Sequence, residues 1–207
     1  MVDEMPRVVF HRGRVVLHDG SSVEPHKADE HLKKVFERYG KALIEDLDGI
    51  ERNRPNWALV KKLGGKDAWV DAGVRTADGI YELFVAGAGR AVLSSECLRG
   101  LGQLEKALDL SDKIVFRAVL GDKGLDVIGR FFGMGLGTLL EELGKRGGTD
   151  VLITGADRLE LSPATVEGVL ALDLAGLEVR LAVPAGFDGN ALDAKGIKGA
   201  VIGRAEV

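Results

Sequence analysis

The residues in this chain placed to act on a ligand are strand-end glycine turns, paired carboxylates and one arginine. In WVDAGVRTADG, Trp69 to Gly79, an apolar run stops at Asp71-Ala72-Gly73, and Thr76-Ala77-Asp78 opens a helix with an acid in its first turn. Such a turn leaves backbone N–H groups free for an anion. Gly73 equally suits the backbone angles of an ordinary βα loop, and the two readings stand side by side. Asp46 and Asp48 alternate with Leu47, which puts both carboxylates on one side of a strand, where one can line a ligand site. Arg117 interrupts the apolar run IVFRAVLGD. A lone buried guanidinium is costly, so Arg117 either pairs with a strand-end aspartate or meets a ligand phosphate. Thr154, Asp157 and Arg158 add further polar groups, as ligand contacts, after a later strand.

The elements that must position these groups alternate along the chain. Strands are expected at 7–10 (extended by 14–17), 41–46, 67–71, 90–93, 113–119, 150–154, 178–183 and 199–202. Helices are expected at 27–38, 55–63, 76–86, 97–108, 137–146, 163–174 and 190–195, with Pro55 at a first helical position. Eight strands with helical connections fit a (β/α)8 barrel or an open doubly wound sheet. No composition break divides residues 1–207, so one α/β domain is expected. The length lies near the lower limit of about 200 residues for a barrel, and the pattern shows no helix after the eighth strand. Gly133-Met134-Gly135-Leu136-Gly137 lacks the spacing of a dinucleotide fingerprint and reads as an active-site loop after the fifth strand.

Composition narrows the function classes. Apolar residues make up 45% of the 207, enough for a sizeable core. A net charge of −4 and a pI near 5.6 argue against a nucleic-acid binder. Cys97 is the only cysteine and reads as a small buried residue, and the four histidines (His11, His18, His26, His31) lack metal-ligand spacing. No run of 18 apolar residues and no apolar signal core is present. These features point to a soluble, cytoplasmic globular protein with no membrane partner and no thiolate metal site.

An internal repeat favours the barrel. VDAGVRTADGIYELFVAGAGRAVLSSE and VPAGFDGNALDAKGIKGAVIGRAE share a strand, Ala-Gly-Val or Ala-Gly-Phe, a polar helix start, and a second strand followed by small residues. Gly73 and Gly186 are 113 positions apart and Ser94 and Gly203 are 109 apart, about half the chain. Two halves of four βα units fit a closed TIM barrel with a two-fold half-barrel repeat. Gly73, Val74, Ser94 and Ser95 would then form one anion cradle at the C-terminal face. Gly186, Phe187, Gly203 and Arg204 would form its mate, and opposed cradles imply a ligand phosphorylated at both ends.

The motifs, taken in order, resemble a known family. Gly13-Arg14-Val15-Val16 is similar to a glycine–Arg/Lys–Val-Val turn after the first strand, and Asp46-Leu47-Asp48-Gly49-Ile50, with Asn53 or Asn56 beyond it, to an Asp-Leu-Asp-Gly-Ala block. Asp71-Ala72-Gly73-Val74-Arg75 resembles a Gly-Gly-Ile-Arg loop, and Ser94-Ser95 occupies the place of Gly-Thr. Ala185-Gly186-Phe187 resembles Ser-Gly-Gly, and Gly203-Arg204-Ala205 resembles Gly-Arg-Ala. These are the motifs of the histidine-biosynthesis isomerase of phosphoribosylformimino-5-aminoimidazole carboxamide ribotide, and of the related cyclase subunit of imidazole-glycerol-phosphate synthase. The resemblance implies a TIM barrel that binds a phosphorylated sugar or bisphosphorylated ribotide without metal or nucleotide cofactor.

The departures fall on the chemistry. The family's Amadori rearrangement needs an acid and a base, which it takes from aspartates at the ends of strands one and five. The matching positions here are Val9 and, within a residue or two, Val119. His11, two positions past Val9, and Asp46 and Asp71 are the candidate catalytic substitutes, with Asp48, Arg117 and Thr154 as ligand contacts. Two functions remain open: an aldose–ketose isomerase with altered catalytic residues, or a non-catalytic paralogue that binds a phosphometabolite or a partner protein. The barrel wall where a last helix would pack is a candidate homo-oligomer contact.

Overall fold

The strands of this protein carry apolar side chains on both faces, as strands enclosed between a barrel interior and an outer helical layer must. The computed structural model describes residues 3–17, 19–121, 124–131, 133–156, 160–174, 176–184, 187 and 189–204. Eight parallel strands form a closed ring: β1 (Asp3–His11), β4 (Lys41–Asp46), β5 (Asp67–Asp71), β6 (Arg90–Ser94), β7 (Ile114–Leu120), β8 (Asp150–Gly155), β9 (Glu178–Ala182) and β10 (Gly199–Arg204). Each pairs with the next, and β10 returns to pair with β1, so the sheet is a TIM-type barrel rather than an open sheet. Two short strands, β2 (Arg14–Val16) and β3 (Ser22–Val23), form an antiparallel extension of β1. Val9 and Phe10 pair with β4 on one edge and with β2 on the other, so this hairpin takes over from β10 beyond the register shift at Pro6/Arg7.

The connections are α1 (Pro25–Tyr39), α2 (Leu47–Arg52), α3 (Trp57–Lys62), α4 (Ala77–Ala86), α5 (Leu101–Leu110), α6 (Leu136–Lys145), α7 (Pro163–Leu170) and the short α8 (Gly189–Asp193). The helix expected at 55–63 is α3, and a second short helix, α2, precedes it in the same connection. The Asn56 side chain caps α3 by accepting from the Leu59 N–H at 3.1 Å, so Pro55 lies before the cap and not at the first helical position. The helix expected from 97 starts at Leu101, because the Cys97 and Leu98 N–H groups turn back to the Ser94 carbonyl. No helix among the described residues is long and apolar enough to cross a membrane.

Alternation along each strand divides the core in two. Residues such as Val8, Phe10, Ile44, Val70, Phe116 and Ile153 pack outward against the helices. Met5, Leu43, Trp69, Val92, Val115, Leu152, Ala182 and Val201, one from each barrel strand, fill the interior as an apolar belt. Below the belt, Asp150 receives Arg180 at 3.0 Å and Arg90 at 3.3 Å, and both guanidiniums lie over the Trp69 ring, 4.5 and 5.0 Å from its centroid. Above the belt, at the C-terminal end of the strands, the interior turns polar again.

Candidate functional site

The next inward position on several strands is charged or hydrogen-bonding. Two residues beyond Met5, Leu43, Trp69, Val115 and Leu152 stand Arg7, Glu45, Asp71, Arg117 and Thr154, each at most 5% exposed. Arg117 is the hub. Its Nη1 pairs with Glu45 Oε1 and with Asp71 Oδ2 at 3.1 Å, and its Nε donates to Thr154 Oγ1 at 3.0 Å. Arg7 Nε lies 3.6 Å from Glu45 Oε2. Burial alone would pull the Arg117 pKa down, but the carboxylates of Glu45, Asp71 and Glu96 push it above its ordinary value, so the guanidinium stays charged. Of the two roles open to Arg117, the pairing one is what the geometry contains, with a second carboxylate, Glu45, that the sequence reading did not name.

Apolar side chains roof this ion layer. Val9 and Val119 follow Arg7 and Arg117 by two residues, are 1% and 0% exposed, and belong to neither core cluster, whereas their neighbours Val8, Phe10, Ala118 and Leu120 pack outward. The positions that the resemblance matches to its acid and base, the second within a residue or two, are therefore buried valines.

The first anion cradle uses its polar groups on the protein itself. The Gly73 N–H donates to Asp71 Oδ1 at 3.1 Å, so it is not free, and the same carboxylate holds Arg117 through its other oxygen. Glycine is needed at 73 for a second reason: a Cβ there would lie 2.4 Å from the Gly49 carbonyl and from Ile50 Cα, at a φ of +65°. Val74 is buried against Gly79. Ser94 and Ser95 are buried as well. Ser94 Oγ accepts from the Glu96 N–H at 3.2 Å, and Ser95 Oγ accepts from the Val119 N–H at 3.1 Å. The Ser95 N–H donates to the Arg117 carbonyl at 2.8 Å, and its carbonyl accepts from the Arg130 N–H at 3.1 Å. The β7–α6 loop folds down to make that last bond, and the Ile128 N–H bonds the Val119 carbonyl at 2.8 Å.

Asp46 and Asp48 do not share a strand face, which corrects the alternation argument. β4 ends at Asp46 and Leu47 already belongs to α2, so the period changes between the two carboxylates. Asp46 has the outward parity of Ile44 and is 1% exposed; its Oδ2 accepts from the Asn56 N–H at 2.5 Å. Burial pushes the Asp46 carboxyl above the ordinary aspartate range; N–H groups of Asn56 and Gly49 oppose this and the Asp48 charge adds to it. Asp48 accepts from the Arg12 N–H at 2.6 Å, fixing the left-handed turn between β1 and β2 (φ +53° at Arg12). His11 closes β1 on the inward parity of Val9, half-buried, with Nε2 buried and without a hydrogen-bond partner among the described residues. Arg75 binds the last carbonyls of α2, Ile50 at 3.1 Å and Gly49 at 3.4 Å, and Asn53 Oδ1 at 2.7 Å.

The second cradle contains a carboxylate. A Cβ on Gly203 would lie 3.1 Å from Glu160 Oε1, and the half-buried Glu160 lines a cavity of about 160 Å³ with Gly121, Gly155 and the hydroxyls of Ser162 and Thr165. Phe187 is half-buried against the outer core, its N–H bonded to the Pro184 carbonyl at 3.2 Å. Gly186, Asp157, Arg158 and the Arg204 side chain lie outside the described residues.

Arg7, Glu45 and Glu160 are the groups sequence reasoning missed. For Glu45 the signal was its alternation with Leu43, one position before the aspartate chosen instead. Chemically, the layer sets two carboxylates beside two guanidiniums beneath buried Val9 and Val119, and His11 and Glu160 stand near the strand ends among the described residues. Among the described residues no group of three or more His, Cys, Asp or Glu side chains could hold a metal ion. No family model matches the chain, and no curated protein matches it.

Proposed function

We propose that this protein is a phosphosugar-binding barrel related to the ribotide isomerases of histidine biosynthesis, and that it binds its ligand without running their Amadori chemistry. One observation carries the reading: buried Val9 and Val119 stand where the resemblance expects the acid and the base, the second within a residue or two, above a layer in which Arg117 pairs with Glu45 and Asp71. The Amadori step moves a proton from carbon, and a paired carboxylate beneath a valine roof has no route to that proton. The ordered motifs support kinship with the family, and the interior supports descent from two half-barrels. Arg7 and Arg117, Val9 and Val119, each pair 110 positions apart, hold equivalent places on the first and fifth barrel strands. Leu43 and Leu152, 109 apart, do the same on the second and sixth.

A catalytic reading keeps one specific support, the unpartnered His11 Nε2 at the mouth. Calorimetric titration with the bisphosphorylated ribotide, followed by NMR of the incubated mixture, separates the two. Binding with unaltered ribotide after prolonged incubation is expected. Conversion that is lost in His11→Ala establishes the enzyme instead, and absence of binding sinks the phosphosugar reading.

A further inference from the structure

The strand-end turns are poor seats for a phosphate here: one has spent the Gly73 and Ser95 N–H groups and the other faces Glu160. A different part of the C-terminal face has the groups such a ligand needs. Between the N-terminal ends of α3 and α4, outside the ring of strands, lies a groove of about 400 Å³ lined by Asn53, Trp57, Arg75, Thr76, Glu82 and Arg99.

Two guanidiniums meet in it. Arg75 is held rigidly by Asn53 Oδ1 and the Gly73 carbonyl, both at 2.7 Å, and by the α2 carbonyls. Arg99 is brought beside it by a backbone bond from its own N–H to the Arg75 carbonyl at 3.1 Å. The Arg99 side chain is exposed and has no protein partner among the described residues. Thr76 precedes α4 and its hydroxyl makes no capping bond, while the Gln103 side chain accepts from the Ala77 N–H at 3.0 Å. One fixed and one exposed guanidinium with a spare hydroxyl match the several acceptor oxygens of a phosphate ester. Glu82 on the α4 wall accepts from hydroxyls and disfavours a second phosphate close by. The half-buried Trp57 supplies the apolar wall that the C–H face of a sugar ring packs against.

We infer that this groove seats a sugar monophosphate, its phosphate on Arg75, Arg99 and Thr76 and its hydroxyls on Glu82 and Asn53. The inference rests on the phosphosugar-binding reading and moves the anion from the barrel mouth to the α3–α4 groove. The test is calorimetry at low ionic strength with ribose 5-phosphate, ribose and inorganic phosphate, on wild type, Arg99→Gln and Glu82→Gln. Both substituted residues are exposed and leave the core intact. Ribose 5-phosphate is expected to bind wild type and to shift its Trp57 indole N–H resonance. Arg99→Gln is expected to weaken it by about tenfold or more, and Glu82→Gln to weaken ribose 5-phosphate while sparing inorganic phosphate. Ribose alone is expected not to bind. Wild-type binding of the sugar phosphate that Arg99→Gln leaves unchanged overturns the groove while sparing the binding reading. Glu82→Gln binding like wild type overturns the sugar contact. No wild-type binding of ribose 5-phosphate or phosphate overturns the groove, and the ribotide titration then decides the wider reading on its own.

Discussion

Replacing Arg117 with methionine removes one of two cations from a layer that also holds two carboxylates. Glu45 keeps Arg7, 3.6 Å away, and Asp71 keeps the Gly73 N–H at 3.1 Å. The variant therefore leaves the layer with two carboxylates, both 0% exposed, against the single guanidinium of Arg7. At 3.1 Å and an effective dielectric of about 20, the Asp71–Arg117 attraction is on the order of 5 kcal/mol before desolvation is counted. Removing one partner of such a buried pair costs about 3–5 kcal/mol. That cost belongs to the stranded carboxylate, so it is expected to shrink when the carboxylate is neutralised too. Arg117→Met/Asp71→Asn is expected to be about 1–2 kcal/mol more stable than Arg117→Met, although it carries one more substitution. Urea unfolding followed by the fluorescence of Trp69, in the apolar belt beneath, measures both differences, provided the denaturant slopes agree. An Arg117→Met loss below about 1 kcal/mol would falsify the buried-charge account, as would an Asp71→Asn effect equal in the two backgrounds.

Asp46 binds protons more tightly folded than unfolded, so its ionisation destabilises the native state: stability falls as pH rises from its ordinary pKa of 3.8 through the raised folded value. Asp46→Asn is expected to remove that decline, so its stability relative to wild type should improve between pH 4 and neutrality in urea melts; a constant difference would contradict the burial effect. Gly73→Ala, with φ at +65° and backbone 2.4 Å from the new Cβ, is expected to lose about 2–4 kcal/mol in the same assay, and a loss under 1 kcal/mol would mean the β5–α2 approach is loose.

The strands were legible because enclosure on both faces leaves little but apolar residues, and β4, β5 and β8 begin where the sequence pattern begins them. Helix starts were less so. A turn of α2 hides in Leu47–Arg52 because Gly49 breaks the propensity signal, yet Gly49 is there to let the Ala72 carbonyl approach to 2.2 Å of where a Cβ would stand. The strand-to-helix change at Asp46/Leu47 is what misdirected the carboxylate assignment. Arg117 was recognisable as a residue needing a partner, but its partners are 46 and 72 positions away, and only closure of the barrel brings them together. The Gly133–Gly137 stretch read as an active-site loop, and nothing in its sequence announced that Gly129, just before it, packs on Ser95 so closely that a Cβ would sit 2.4 Å from its carbonyl oxygen.

The order of layers inside the barrel also restricts how the chain can close. Charged groups at the base, an apolar belt across all eight strands and charged groups at the top form a vertical code, and every strand must be read at the same height. Sliding β7 by one two-residue step would carry Arg117 to the level of the belt, among Leu43, Trp69 and Leu152, and away from Glu45 and Asp71 together. Even-numbered slips preserve the inside–outside pattern and would otherwise go unpunished. The ion layer makes them expensive, so the barrel's stagger is selected by electrostatics where hydrophobic alternation alone would leave it degenerate.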